Sequence, residues 1–229
     1  MKAVLFHKHG GPEVLEYSDL PTPQPGPGEV LVELKAAAVN RLDKWVRDGW
    51  PEIKIEYPHI PGADGSGIVS EIGPDSCGVQ VGDRVAINPD LWDGKCPNCI
   101  SGQDHLCDQW ELIGETVRGT YAQYIAVPWR NLITIPNDIS FETAAASSLI
   151  YLTAWHSLIT RGKLVAGESV LVVGAGGGVN SACIQIARMA GAKVYVVGSS
   201  TKKLEHAERL GADVLINRST EDWSKSVFR

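Results

Sequence analysis

The chain has 229 residues, 44% of them hydrophobic and 21% charged, with a formal net charge of −6. That composition supports one large or two modest cores and excludes the basic face that a duplex nucleic-acid binder needs to neutralise phosphates. The apolar run Ala3 to Phe6 ends at His7 and Lys8, too short for a secretory h-region, and no stretch has the apolar length of a membrane helix. The chain therefore reads as cytoplasmic, with neither nucleic acid nor a membrane as partner.

Up to about Val127 the sequence is rich in Gly and Pro and carries short alternating runs such as "EVLVELKAAAV", which puts Val30, Val32 and Leu34 on one face. This is all-β texture with many turns. The segment "LPTPQPGPGE" reads as an extended surface crossing between strands. Within this region Cys96, Cys99 and Cys107 stand in the spacing C-x2-C-x7-C, while Cys77 and Cys183 are isolated. In a reducing compartment an odd, clustered set favours a metal over disulfides, and a tetrahedral metal asks for a fourth ligand.

The texture changes at Ser140, an N-cap serine that opens the long run of helix formers "FETAAASSLIYLTAWHSLI". Buried strands near Val170, Val194 and Val214 then alternate with helices that end at Gly191 and Gly211, a βαβαβ unit with a parallel sheet. The fold class is α/β, a β-rich domain followed by part of a doubly wound domain. Such a domain has about six strands, so the sequence reads as a fragment of a longer enzyme.

Gly174, Gly176, Gly177 and Gly178 occupy the first strand-to-helix junction, where backbone approaches a pyrophosphate and a helix N-terminus favours its charge. The last glycine of G-x-G-x-x-G is missing, with Val179 or Asn180 in its place. This change loosens helix-to-strand packing and leaves the phosphate turn intact. A tight turn with no ligand is the alternative. Twenty residues beyond Gly178 stands Gly198, so no carboxylate waits for a ribose 2′-hydroxyl, while Ser199, Ser200, Lys202 and Lys203 could hold a 2′-phosphate. That favours NADP over NAD, unless the lysines only form the exposed start of the next helix.

These pieces, in this order, resemble the medium-chain dehydrogenase/reductase superfamily along the whole chain: "VLVELKAAAVNRLDKWVRDG", "PHIPGADGSGIVSEIG", "VGDRVAIN", the cysteine segment, "GTYAQYIAVP" and "AAASSLIYLTAWHSL". The resemblance implies a GroES-like β-rich catalytic domain at 1–139, with a zinc lobe at 92–108. A linking helix and the first half of a Rossmann domain would follow at 140–229. It also implies that a full-length parent would be a homodimer or homotetramer. In zinc-containing members four cysteines surround a structural zinc in the spacing C-x2-C-x2-C-x7-C, whose first position here is Asp93. A carboxylate can replace a thiolate at zinc without changing the formal ligand charge, so the implied set is Asp93, Cys96, Cys99 and Cys107; His105 is a spare candidate that reads rather as an exposed loop residue, and a lobe that has lost one ligand and holds no metal is the alternative.

Zinc alcohol dehydrogenases of the superfamily also hold a catalytic zinc. The matching positions here carry Asn40, Ala63 with Asp64, and Leu149, a set that cannot hold it. Asn40, Asp43 and "GADG" resemble the quinone oxidoreductase branch, which lacks that metal. The resemblance then implies hydride transfer from NADPH to an already electrophilic small molecule, a quinone or an α,β-unsaturated carbonyl. Asn40 would contact nicotinamide or substrate, and Asp43 would orient the loop. Thr153, at the start of the linking helix, would lie near the nicotinamide. As alternatives, Asn40 is a strand-end turn residue and Asp43 a helix N-terminal acid. Trp45, Trp50 and Tyr151 either line an apolar pocket at the domain cleft or belong to the core, and His59, His156 and Cys183 read as packing or surface residues. An alcohol dehydrogenase is the runner-up function, and a non-catalytic nucleotide-binding fragment is the third.

Overall fold

The computed structural model describes residues 1–227, with side-chain environments through 225. Contacts divide it into two compact units, Met1–Leu149 and the chain from Ile150 onward. The division falls inside a helix, ten residues beyond the composition change at Ser140.

The first unit is built on a five-stranded antiparallel sheet. Its strands are β3 (Glu29–Ala38), β4 (Asp64–Ile72), β5 (Arg84–Ile87), β8 (Tyr124–Pro128) and β9 (Leu132–Thr134), in the order β8-β3-β4-β5-β9. A hairpin of β1 (Lys2–Leu5) and β2 (Glu16–Asp19) stands before it, and the short strands β6 (Asp90–Leu91) and β7 (Glu111–Leu112) bracket the cysteine segment. The expected face of β3 is the core face: Val30 and Val32 are fully buried and Leu34 packs beside them, against Val69, Val85, Ile87, Ile113, Ile125 and Val127. Each such side chain removed from water contributes about 1.5–3 kcal/mol before entropy is set against it. Leu31, on the other face, is also buried, and register shifts at Leu31/Val32 and Leu34/Ala36 bend the strand.

Two helices interrupt the all-β texture. The eight-residue α1 (Arg41–Asp48) follows β3, and the single turn α2 (Pro97–Ile100) sits in the cysteine segment. The long helix α3 (Phe141–Trp155) starts as expected, with the Ser140 hydroxyl oxygen accepting the Thr143 N–H at 3.2 Å. Its first turn is tied to the sheet: the Ser66 hydroxyl donates to Phe141 O at 2.6 Å, and the Arg84 guanidinium lies 4.3 Å from the Phe141 ring centroid.

The second unit has a parallel sheet of β10 (Ser169–Val173), β11 (Lys193–Gly198) and β12 (Val214–Asn217), in that order, connected by α4 (Gly178–Met189) and α5 (Thr201–Arg209). A short α6 (Trp223–Val227) ends the described chain. The apolar strand runs and one face of each helix close the core around Val172, Ile184, Ala187, Val194, Val196, Leu204 and Ala207. No described helix is long and apolar enough to cross a membrane.

Candidate functional site

Three sets of residues carry chemistry. The first surrounds Asn40, the residue before α1. Asn40 is the N-cap and Asp43 stands three residues into the turn, so the two form a capping box in which the Asp43 carboxylate accepts the Asn40 N–H at 2.6 Å. Asp43 therefore does act as a helix N-terminal acid, and Asn40 caps a helix rather than ending a strand in a turn. The Asn40 side-chain amide faces the other way and donates to Asp64 Oδ2 at 2.7 Å, while the Leu149 backbone N–H donates to Asp64 Oδ1 at 2.7 Å. Both Asp64 oxygens are thus held.

Tyr121 completes the network, its hydroxyl donating to Asp43 Oδ2 at 2.7 Å. The Thr120 hydroxyl donates to the Asp64 carbonyl at 2.7 Å. Burial pushes the Asp43 carboxyl up, against the pull of the Asn40 N–H and the Tyr121 hydroxyl. Burial pushes Asp64 up as well, against the Asn40 amide and the Leu149 N–H. The Tyr121 phenol is raised by burial and by the carboxylate it serves. Tyr121 was not singled out from the sequence, because it meets Asp43 across 78 residues of chain and no periodicity marks that pair. His59 is a core residue, its Nε2 3.2 Å from Gly114 O.

The second set is the cysteine segment. One ligand atom each from Asp93, Cys96, Cys99 and Cys107 lies within 4.8 Å of all the others. Backbone N–H groups are aimed at the sulfurs: Cys99 N–H at Cys96 Sγ (3.5 Å), and Asp93 and Gln109 N–H at Cys107 Sγ (3.4 and 3.3 Å). Such donors stabilise thiolate, and they draw the Cys96 thiol below its ordinary range, while burial and the adjacent Cys96 sulfur push Cys99 up to about 12. Asp93 Oδ1 accepts the N–H groups of Cys96 (3.0 Å) and Lys95 (2.9 Å), which hold the carboxyl ionised and well below the usual range. With Oδ1 so engaged, Oδ2 is the oxygen available to a metal. Three sulfurs and one carboxylate fit a closed tetrahedral zinc site. His105 lies in the adjoining turn Asp104–Leu106, outside this group of four.

The third set is the glycine turn. Gly174 has φ +117°, a conformation that disfavours any side chain, and Gly177 caps α4, whose first residue is Gly178. The missing third glycine has a replacement: the Asn180 amide donates to Gly174 O (2.8 Å) and Val173 O (3.1 Å), tying helix to strand where looser packing was expected. Val179 packs toward Ala154, Ala182 and Ile186. The Lys203 stem lies over Gly176, where an added Cβ would meet its Cδ at 3.3 Å. Ser200 is the N-cap residue of α5, and Ser199 O accepts the Ser219 hydroxyl at 3.1 Å. One expectation is corrected. Thr153 stands near the C-terminal end of α3, not its start, because the helix begins at Phe141. Tyr151 packs on the Ala154 cluster of its own unit, and Trp45 and Trp50 share a pocket of the first unit.

A β-rich unit with a convergent cysteine lobe, followed by a parallel unit with a glycine turn, defines a class, the medium-chain dehydrogenases/reductases. Comparison with known proteins bears this out. The alcohol dehydrogenase GroES-like domain family matches residues 26–137, and the zinc-binding dehydrogenase family matches residues 178–229. An alcohol dehydrogenase of Geobacillus stearothermophilus is 36% identical over 97% of this chain and 65% of its own length. A crystal structure of an NAD-dependent alcohol dehydrogenase aligns with a TM-score of 0.95 at 48% identity, over 99% of this chain and 66% of that one. A Pseudomonas syringae quinone oxidoreductase structure aligns with a TM-score of 0.80 at 34% identity, over 99% and 62%. The chain belongs to the medium-chain dehydrogenase/reductase superfamily and spans about two thirds of the length of these relatives.

Proposed function

We propose that this chain belongs to an NAD(P)H-dependent reductase that has a structural zinc, lacks a catalytic one, and acts on electrophilic carbonyl compounds such as quinones and enones. One observation carries the reading: both Asp64 oxygens are taken by the Asn40 amide and the Leu149 N–H, and Asn40, Ala63 and Leu149 offer no thiolate or imidazole. A carboxylate so held, beside an amide, a methyl and an isobutyl group, is a poor donor set for zinc. An acceptor already electrophilic at carbon needs no Lewis acid.

A nicotinamide cofactor supplies the hydride when bound. The protein's own contributions are to bind and orient. The glycine turn and the first turn of α4 would take the pyrophosphate, and Asn40, fixed by its capping box and by Asp64, would present a polar edge to the nicotinamide or the acceptor. Asp43 and Tyr121 act through Asn40, as positioning residues. NADP is the favoured cofactor: a Cβ at Gly198 would meet Leu204 Cδ2 at 2.7 Å and Ala175 Cβ at 3.1 Å, so an acidic residue that selects NAD would not fit there without repacking. Asp93, Cys96, Cys99 and Cys107 would hold the zinc, which would stabilise the lobe and take no part in hydride transfer.

The second reading, an NAD-dependent alcohol dehydrogenase, is favoured by the names of the relatives. The test is turnover by the chain in its full natural length, together with zinc per chain. Reduction of cyclohexenone or benzoquinone with NADPH, at one zinc per chain, supports the proposal. Oxidation of primary or secondary alcohols that depends on a second zinc overturns it in favour of the dehydrogenase.

A further inference from the structure

Beside Asn40, helix α1 turns one face to a pocket of about 410 Å³ within the first unit. Leu42, Trp45 and Gly49 follow at helical spacing, and Asp48, Trp50 and Glu115 complete the lining. The two indoles are large apolar surfaces left open, Trp45 at 53% and Trp50 at 39% exposure, whereas the other faces of this helix are buried or charged. Indole faces attract cations through the ring quadrupole.

The two carboxylates differ. Asp48 is already paired, with Lys44 and with Arg47 Nη2 at 2.6 Å. No hydrogen bond or ion pair reaches the Glu115 side chain among the described residues, and its carboxyl is pushed up by burial alone. An unpaired, partly desolvated carboxylate at the edge of an aromatic pocket is complementary to a positive charge, and least so to an anion.

The geometry points to a recognition site for an organic cation, an alkyl- or quaternary ammonium group held between Trp45 and Trp50 with Glu115 as counter-ion.

The test uses choline and its uncharged carbon isostere, 3,3-dimethylbutan-1-ol, followed by the indole N–H signals in NMR spectra of the purified chain. Trp45→Phe and Trp50→Phe assign the two signals. Choline should shift both, the isostere neither, and Glu115→Gln should weaken choline binding at least about fivefold. An equal response to the isostere, a response confined to other tryptophans, no response at all, or undiminished binding by a folded Glu115→Gln variant overturns the inference. Turnover of uncharged acceptors without choline binding would defeat this inference alone, and choline binding by an enzyme inert with NAD(P)H would defeat the proposed reaction alone.

Discussion

The cysteine lobe and the Asn40 network both set a carboxylate among the polar groups of the first unit, and they solve opposite problems. In the lobe, four ligand atoms from Asp93, Cys96, Cys99 and Cys107 converge, while their hydrogen bonds come mostly from backbone N–H groups around the outside. Around Asn40 most of the polar groups pair with one another: Asn40 with Asp64, Asp43 Oδ2 with Tyr121 and the helix end, Asp64 with Leu149, while Asp43 Oδ1 is buried without a hydrogen-bond partner. Convergence of like, electron-rich atoms is costly unless a cation neutralises it, whereas acceptors already met by N–H and O–H donors call for none. The same residue type therefore reads as a metal ligand in one place and as a structural clamp in the other.

The sharpest way to break this contrast is Cys107→Ser. It should abolish zinc binding and lower the thermal midpoint by about 10 °C or more, since a structural zinc contributes several kcal/mol to folding. Elemental analysis and calorimetry read both effects. A folded Cys107→Ser variant with full zinc would show that the lobe is not the metal site. Asp93→Ala retains three thiolates and should weaken zinc by about tenfold or more, measured by competition with a chelator.

Tyr121→Phe removes one donor from a buried carboxylate and should cost about 1.5–3 kcal/mol in denaturant unfolding while zinc content stays unchanged. Loss of zinc in that variant would join two regions that the contrast keeps apart. Asn40→Ala removes a helix cap and the Asp64 bond, for about 1–2 kcal/mol. It too should leave zinc in place, and in the active enzyme it should lower turnover more than Tyr121→Phe does.

The smallest expected effect concerns pH. Burial, with Asp104 nearby, raises the Asp90 carboxyl to about 6 from its ordinary 3.8. A carboxyl raised by folding prefers its proton in the native state. Stability is then greatest below about pH 4 as far as this group is concerned, and it falls as pH rises through about 6. Asp90→Asn should flatten the decline between pH 4 and 6 and stabilise the protein at pH 8 by about 1 kcal/mol, allowing for solvent screening. Thermal midpoints across that range decide it. An unchanged slope would mean that Asp90 ionises freely.

Much of this architecture is legible from local pattern. The alternation Val30, Val32, Leu34, the cap at Ser140 and the strand runs at Val170, Val194 and Val214 specify elements through side-chain period, capping and turn chemistry, all properties of neighbours in sequence. The cysteine spacing is equally local, which is why three of the four converging residues stand out on chemistry alone. Asn180 shows the limit: a departure from the glycine pattern looks like a loss until its amide is found on Gly174 O and Val173 O.

What the sequence determined by itself is the order of the units, the glycine turn, the cysteine lobe and the superfamily, because each is written in residues a few positions apart. Only the tertiary structure decided that Tyr121 serves Asp43, that both oxygens of Asp64 are taken, that a side chain at Gly198 would press on Leu204, and that Glu115 lines one pocket with two open indoles. Those pairings join residues tens of positions apart through sheet register and helix placement. Side-chain hydrogen bonds carry no periodicity that would announce them in advance.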